Sequence, residues 1–133
     1  MAIADINSII NTYLNTLTGL TDLVSTRIYT PTLPEDPVLP AVSYMVRGGS
    51  NDPYIPGMLY PSVQFDCWAD NLIDAWEIYR KLYDNLQGIQ YETVGAYQIQ
   101  SAIEEVQGQM VTDEEISGFF KVMTFFSLII RAE

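Results

Sequence analysis

The sequence contains no histidine and a single cysteine, Cys67. This excludes zinc-finger spacings, an intrachain disulfide, Ser-His and Cys-His nucleophile pairs, and the commonest general base. Cations are scarce too: six Lys plus Arg stand against seventeen Asp plus Glu, a net charge of −11. So few cations cannot neutralise a phosphate backbone, and composition argues against a nucleic-acid reader. No long hydrophobic run is present. The most apolar window, Phe119 to Ile130, is interrupted by Lys121 and is shorter than the roughly twenty residues of a bilayer-crossing helix. The opening Met1-Ala2-Ile3-Ala4-Asp5 has no basic region ahead of an apolar stretch, so synthesis and folding in a cytoplasm are expected.

What the chain does have is the means to fold. Apolar residues make up 48 % of 133 residues and charged residues 17 %, far from the composition of disordered chains. The length suits one domain spanning residues 1–133, with one core.

Behind a cap at Asp5, the residues Ile6, Ile9, Ile10, Tyr13, Leu14 and Leu17 recur at helical spacing, predicting a helix over about residues 6–18 that Gly19 stops. Leu20 to Val24 reads as a short helical turn, and Arg27-Ile28-Tyr29 as extended. Pro31, Pro34, Pro37 and Pro40 then make a stiff connector, because each fixes φ and removes a donor. Ala41 to Val46 and Tyr60 to Trp68 read as two antiparallel strands. Between them, Arg47 to Leu59 is longer than an ordinary hairpin turn and carries Tyr54, Ile55, Met58 and Leu59, apolar side chains suited to docking.

Asp70 or Asn71 is placed to cap a second helix with Leu72, Ala75, Trp76, Tyr79, Leu82, Tyr83 and Leu86 on one face, Glu77 and Lys81 paired outside, and Gly88 at its end. Two more strands follow. In the first, Tyr97, Ile99, Ser101 and Ile103 alternate against Gln98, Gln100, Ala102 and Glu104. The last, Phe119 to Arg131, is apolar on both faces: Phe120, Val122, Thr124, Phe126, Leu128 and Ile130 suit a core, whereas Phe119, Met123, Phe125 and Ile129 need a second cover. Gln107 to Gly118, with Asp113-Glu114-Glu115, reads as a solvated loop. The expected fold is α+β: a four-stranded, mainly antiparallel sheet with two helices on one face, in the order α-β-β-α-β-β.

Chemistry finds few footholds. Cys67 shares a strand face with Val63 and Phe65, the setting of an inert buried thiol. Asp66 and Asp70 flank Trp68 and could form a carboxylate pair for hydrolysis, but helix capping accounts for Asp70. Asp113, Glu114 and Glu115 lack the alternating pattern of a calcium loop, and Gly48-Gly49 lacks the lysine and helix of a phosphate loop. No catalytic residue, metal or cofactor is expected.

The segments Leu20-Thr21-Asp22-Leu23-Val24-Ser25-Thr26-Arg27-Ile28-Tyr29, Leu39-Pro40-Ala41-Val42-Ser43-Tyr44 and Val63-Gln64-Phe65-Asp66-Cys67-Trp68-Ala69, the last running into a helix, resemble the tail-completion proteins of long-tailed bacteriophages. These are also called tail-terminator or head-tail joining proteins. The resemblance spans about residue 6 to residue 131. It implies a non-enzymatic virion protein, assembled in the host cytoplasm, that forms a hexameric ring on the head-proximal end of the tail tube. There it would stop tube growth and meet the head connector while DNA passes through. Candidate contacts with neighbouring subunits or partners are Tyr54, Ile55, Met58, Leu59, Phe119, Met123, Phe125, Asp113, Glu114 and Glu115. An alternative from the charge alone is an acidic DNA mimic that occupies a host DNA-binding enzyme.

Overall fold

A computed structural model describes residues 6–25, 27–30, 38–51, 54, 58–95, 97–112 and 120–132. Three helices, α1 (Ile6–Asn15), α2 (Thr18–Val24) and α3 (Leu72–Leu86), accompany six strands: β1 (Ile28–Tyr29), β2 (Ala41–Asn51), β3 (Met58–Ala69), β4 (Gln90–Val94), β5 (Tyr97–Thr112) and β6 (Phe120–Ala132). The strands form one sheet in the order β1-β2-β3-β6-β5-β4. Only β1 and β2 run parallel; every other pairing is antiparallel.

The expected four-stranded sheet with two helices is therefore corrected to a six-stranded mixed sheet with three. The two additional strands lie at its edges. At two residues, β1 is too short to have a period, and β4 buries only Val94. The third helix is α2, which contains Gly19; the chain leaves α1 earlier, through Thr16 N–H to Tyr13 O (3.0 Å) and Leu17 N–H to Leu14 O (3.2 Å). The connection between β2 and β3 shrinks to residues 52–57, since β2 continues to Asn51 and β3 begins at Met58. Likewise β5 takes in residues 107–112, part of the expected loop.

The sheet must curl. In a flat sheet the first and last of six strands lie about 24 Å apart, whereas a helix is only about 10–12 Å across. Yet α1 touches β1 and β2 at one edge and β4 at the other. Irregular register in β2 and at three places in β5 supplies the bending that bulges provide. In β2 the bulge rests on Gly49, whose φ is 142° and whose missing side chain leaves room for the Tyr60 carbonyl.

One face of the sheet, called the inner face below, receives the helices. Val42 and Tyr44 of β2, Val63, Phe65 and Cys67 of β3, and Val122, Phe126, Leu128 and Ile130 of β6 are buried there with Leu14, Leu20, Ile78 and Leu82 of the helices. Phe65 packs edge-on to Phe126 at 5.7 Å; burying each ring contributes about 2–3 kcal/mol. In α3 the expected period holds: Ala75, Ile78, Tyr79, Leu82 and Leu86 are buried, and the Asn71 side chain accepts the Asp74 N–H. Gly88 follows the helix at φ 80°. No helix is long and apolar enough to cross a membrane, among the described residues.

Along β5 the expected faces are exchanged after residue 100. A register shift between Ile99 and Ser101 turns Ala102 (0 % exposed) and Glu104 inward and leaves Ile103 (54 % exposed) outside. One inserted residue is enough, because side chains alternate with period two.

Candidate functional site

The side of the sheet away from the helices, the outer face, is built from alternate residues of β2, β3, β6 and β5. Its centre is polar and largely buried. Trp68 Nε1–H donates to Ser43 Oγ (2.9 Å), and the Lys121 ammonium sits 4.9 Å from the Trp68 ring centre. Arg47 Nη1 donates to Gln64 Oε1 (2.9 Å), while Gln64 Nε2 lies 3.2 Å from both Asp66 carboxylate oxygens and 3.3 Å from Met123 Sδ. Burial pushes the Asp66 carboxyl above its ordinary value; Lys121, the Gln64 hydrogen bond and Arg47 partly offset this. Asp70, the other member of the carboxylate pair that the sequence reading set aside, is exposed beyond the end of β3, and the cap of α3 is Asn71.

Around this centre lie Met45, Met123, Phe125 and Ile129, half-buried, with Ile103 and Val106 exposed beside them on β5. Met123 and Phe125 thus occupy the face on which the sequence placed them. Met58 begins β3 on the same face, its thioether accepting the Tyr60 hydroxyl (3.2 Å). Tyr54 is 90 % exposed. Leu59 points the other way, into the core, opposite Ile130. Ile55, Phe119, Asp113, Glu114 and Glu115 lie outside the described residues.

A second constellation, on the inner side, escaped the sequence reading. The Glu104 carboxylate accepts hydrogen bonds from Tyr79 Oη and Thr124 Oγ1, each at 2.7 Å and each to Oε2. Tyr79 Oη accepts the Gly108 N–H (3.2 Å), and Gln87 Oε1 accepts the Glu104 N–H (2.7 Å). Burial, with the Glu104 hydrogen bond, pushes the Tyr79 phenol up to about 12. An open cleft beside it is lined by Tyr79, Arg80, Tyr83, Glu104, Glu105 and Gln107. Tyr79 and Gln87 hold β5 against α3 and its end, and Thr124 ties the same stretch of β5 to β6. Only the inward turn of Glu104 brings them together, and the sequence alternation places that residue outside.

The thiol of Cys67 is fully buried and pushed well above its ordinary range by burial and by the Asp66 charge, as expected of an inert core cysteine. No group of three or more Cys, Asp or Glu able to hold a metal occurs among the described residues.

On the outer surface of α3, Ile73 (81 % exposed), Glu77, Arg80 and Asp84 form one stripe flanked by Trp76 and Tyr83. Glu77 pairs with Arg80 at 3.4 Å rather than with Lys81.

No family model matches the chain, and no curated protein matches its sequence. Among solved structures, the fold matches a chain of the "Virion of native gene transfer agent (GTA) particle" with a TM-score of 0.62 and 14 % identity, over 96 % of this chain and 98 % of that one. At that identity the likeness is one of fold, and it extends from end to end of both chains.

Proposed function

We propose that this chain is a non-enzymatic structural protein of a phage-like virion, which closes the head-proximal end of the tail tube as a ring, a hexamer, and joins it to the head connector. The observation that carries the reading is the end-to-end fold match with a chain of a gene transfer agent virion, in which nearly the whole of each chain is used. The residues that resemble tail-completion proteins support it: Phe65-Asp66-Cys67-Trp68 lie where β3 runs into α3, the junction that joins sheet to helix layer. An outer face carrying Met45, Met123, Phe125, Ile129, Ile103 and Val106 suits a subunit that is finished only by assembly. The net charge of −11 suits a ring through which DNA slides without adhering. A DNA mimic would need its carboxylates arrayed along one face, whereas the exposed acids among the described residues are spread over α2 (Asp22), the α3 region (Asp70, Asp74, Asp84), β4 (Glu92) and β5 (Glu105).

Electron microscopy of the protein mixed with purified tail tubes tests this reading. Ring-shaped density on one end only, with no further tube growth from that end, is the expected result. A protein that stays monomeric and binds neither tube end overturns it.

A further inference from the structure

The six cations of this acidic chain are unevenly placed. Arg47, Lys121 and Arg131 all fall on the outer sheet face. The one acid whose register places it among them in β2, β3 and β6, Asp66, is 9 % exposed and occupied by Gln64. Among the described residues of β2, β3 and β6, the charges that this face offers to a partner are therefore positive, set around Met45, Met123, Phe125 and Ile129. The outward stripe of α3 has the opposite character. Glu77 is paired with Arg80, and Asp74 and Asp84, with Asp70 just ahead of the helix, outnumber Lys81; the apolar members are Ile73, Trp76 and Tyr83. Since α3 packs on the inner face of the sheet, the two surfaces look out from opposite sides of the same subunit.

We infer that the partner of the outer sheet face is α3 of a second copy of this chain, the two copies meeting head to tail. This rests on the proposed ring and specifies which surfaces close it. Two outer faces placed against each other would set three cations against three, and two α3 stripes would set acid against acid. A two-fold contact through the sheet face is therefore repulsive, one through α3 gains nothing from its net negative charge, and the complementary arrangement is the heterologous one, which closes into a ring when the rotation allows.

Where the short edge strands β1 and β4 leave β2 and β5 uncovered, pairing with another copy is opposed by the fold. From Ala102 to Gly108 the outer edge of β5 is already bonded: Gly88 N–H donates to Ala102 O (2.9 Å), Glu104 N–H to Gln87, and Gly108 N–H to Tyr79. At the other edge, the Gly49 bulge bends β2 out of regular pairing.

The test uses two full-length variants, Arg47→Glu with Lys121→Glu, and Asp74→Lys with Glu77→Lys. Native mass spectrometry and sedimentation are recorded for the wild type, each variant and their equimolar mixture, alone and with tail tubes. Each variant by itself opposes like charges and should assemble roughly a hundredfold more weakly than wild type. In the mixture, both contacts are complementary again, one as in the wild type and one with its signs reversed. The expected product is an oligomer of wild-type size with the two variants in equal number. Variants that assemble separately as well as wild type, or a mixture that assembles no better than its components, overturn the pairing while leaving the tube-capping reading intact. A wild type that forms no oligomer, in solution or on tubes, overturns both.

Discussion

Replacing Gly108 by alanine perturbs the latch between β5 and α3. A Cβ at this position would lie 2.7 Å from Tyr79 Cζ and 2.9 Å from both Cε atoms, closer than carbon atoms in contact allow. The tyrosine cannot simply swing away, because its hydroxyl donates to Glu104 and accepts from the Gly108 N–H. Overpacking of this kind costs about 1–3 kcal/mol, and displacement of a hydrogen bond to a carboxylate costs about 1.5–3 kcal/mol. Because relaxation trades one loss against the other, the expected destabilisation is about 2–4 kcal/mol, or roughly 6–15 °C in Tm for a domain of this size. Circular dichroism melts would read it. The decisive comparison is a cycle with Tyr79→Leu, which removes the colliding ring end. That substitution lowers stability by itself, but in its presence Gly108→Ala should cost less than about 0.5 kcal/mol, a strong coupling for two contacting residues. Additive losses, or a Gly108→Ala protein as stable as wild type, would refute the reasoning.

Burial raises the Asp66 carboxyl, so the folded state binds its proton more readily than the unfolded state. The penalty for the charged form is absent at acid pH and grows as pH rises through the folded value. Asp66→Asn should therefore gain stability relative to wild type between acid and neutral pH, read as the difference in urea midpoints; a relative loss over that range contradicts the assignment. Asn71→Ala should cost about 1 kcal/mol through loss of the cap to Asp74 N–H, while Asp70→Ala leaves the melting temperature nearly unchanged. Equal effects would mean that the cap is shared. Cys67 should resist a chromogenic thiol reagent in the native protein and react fully in denaturant, since burial holds it as the thiol; rapid native labelling would show that β3 opens.

Legibility in the sequence followed burial. The buried stripe of α3 and the core face of β6 have the periods expected of elements with one side in a core, and both stand where the residues place them. The edge strands carry no such pattern: in β4 only Val94 is buried, and β1 is held by pairing with Val42 and Ser43 rather than by its own two residues. In β5 the pattern misled, because the irregularity after Ile99 exchanges the faces and later ones carry the strand through Gly108. The outer face was half legible. Met123 and Phe125 stand out in a strand apolar on both sides, but Arg47, Gln64, Asp66 and Lys121 meet only through the register of β2, β3 and β6, which is a property of pairing partners rather than of local sequence.

The strand order also has a consequence for the nascent chain. β6, the last of the described strands to be synthesised, is inserted between β3 and β5, which do not pair with each other. Until β6 emerges, β1-β2-β3 and β4-β5 are separate fragments, and Phe65 lacks the Phe126 ring that packs against it. At ribosomal speeds of about 5–20 residues per second, β3 is exposed for several seconds before its partner is made. Folding of this sheet is therefore completed only once β6 has been made, and loss of β6 would leave two half-sheets rather than a shortened whole.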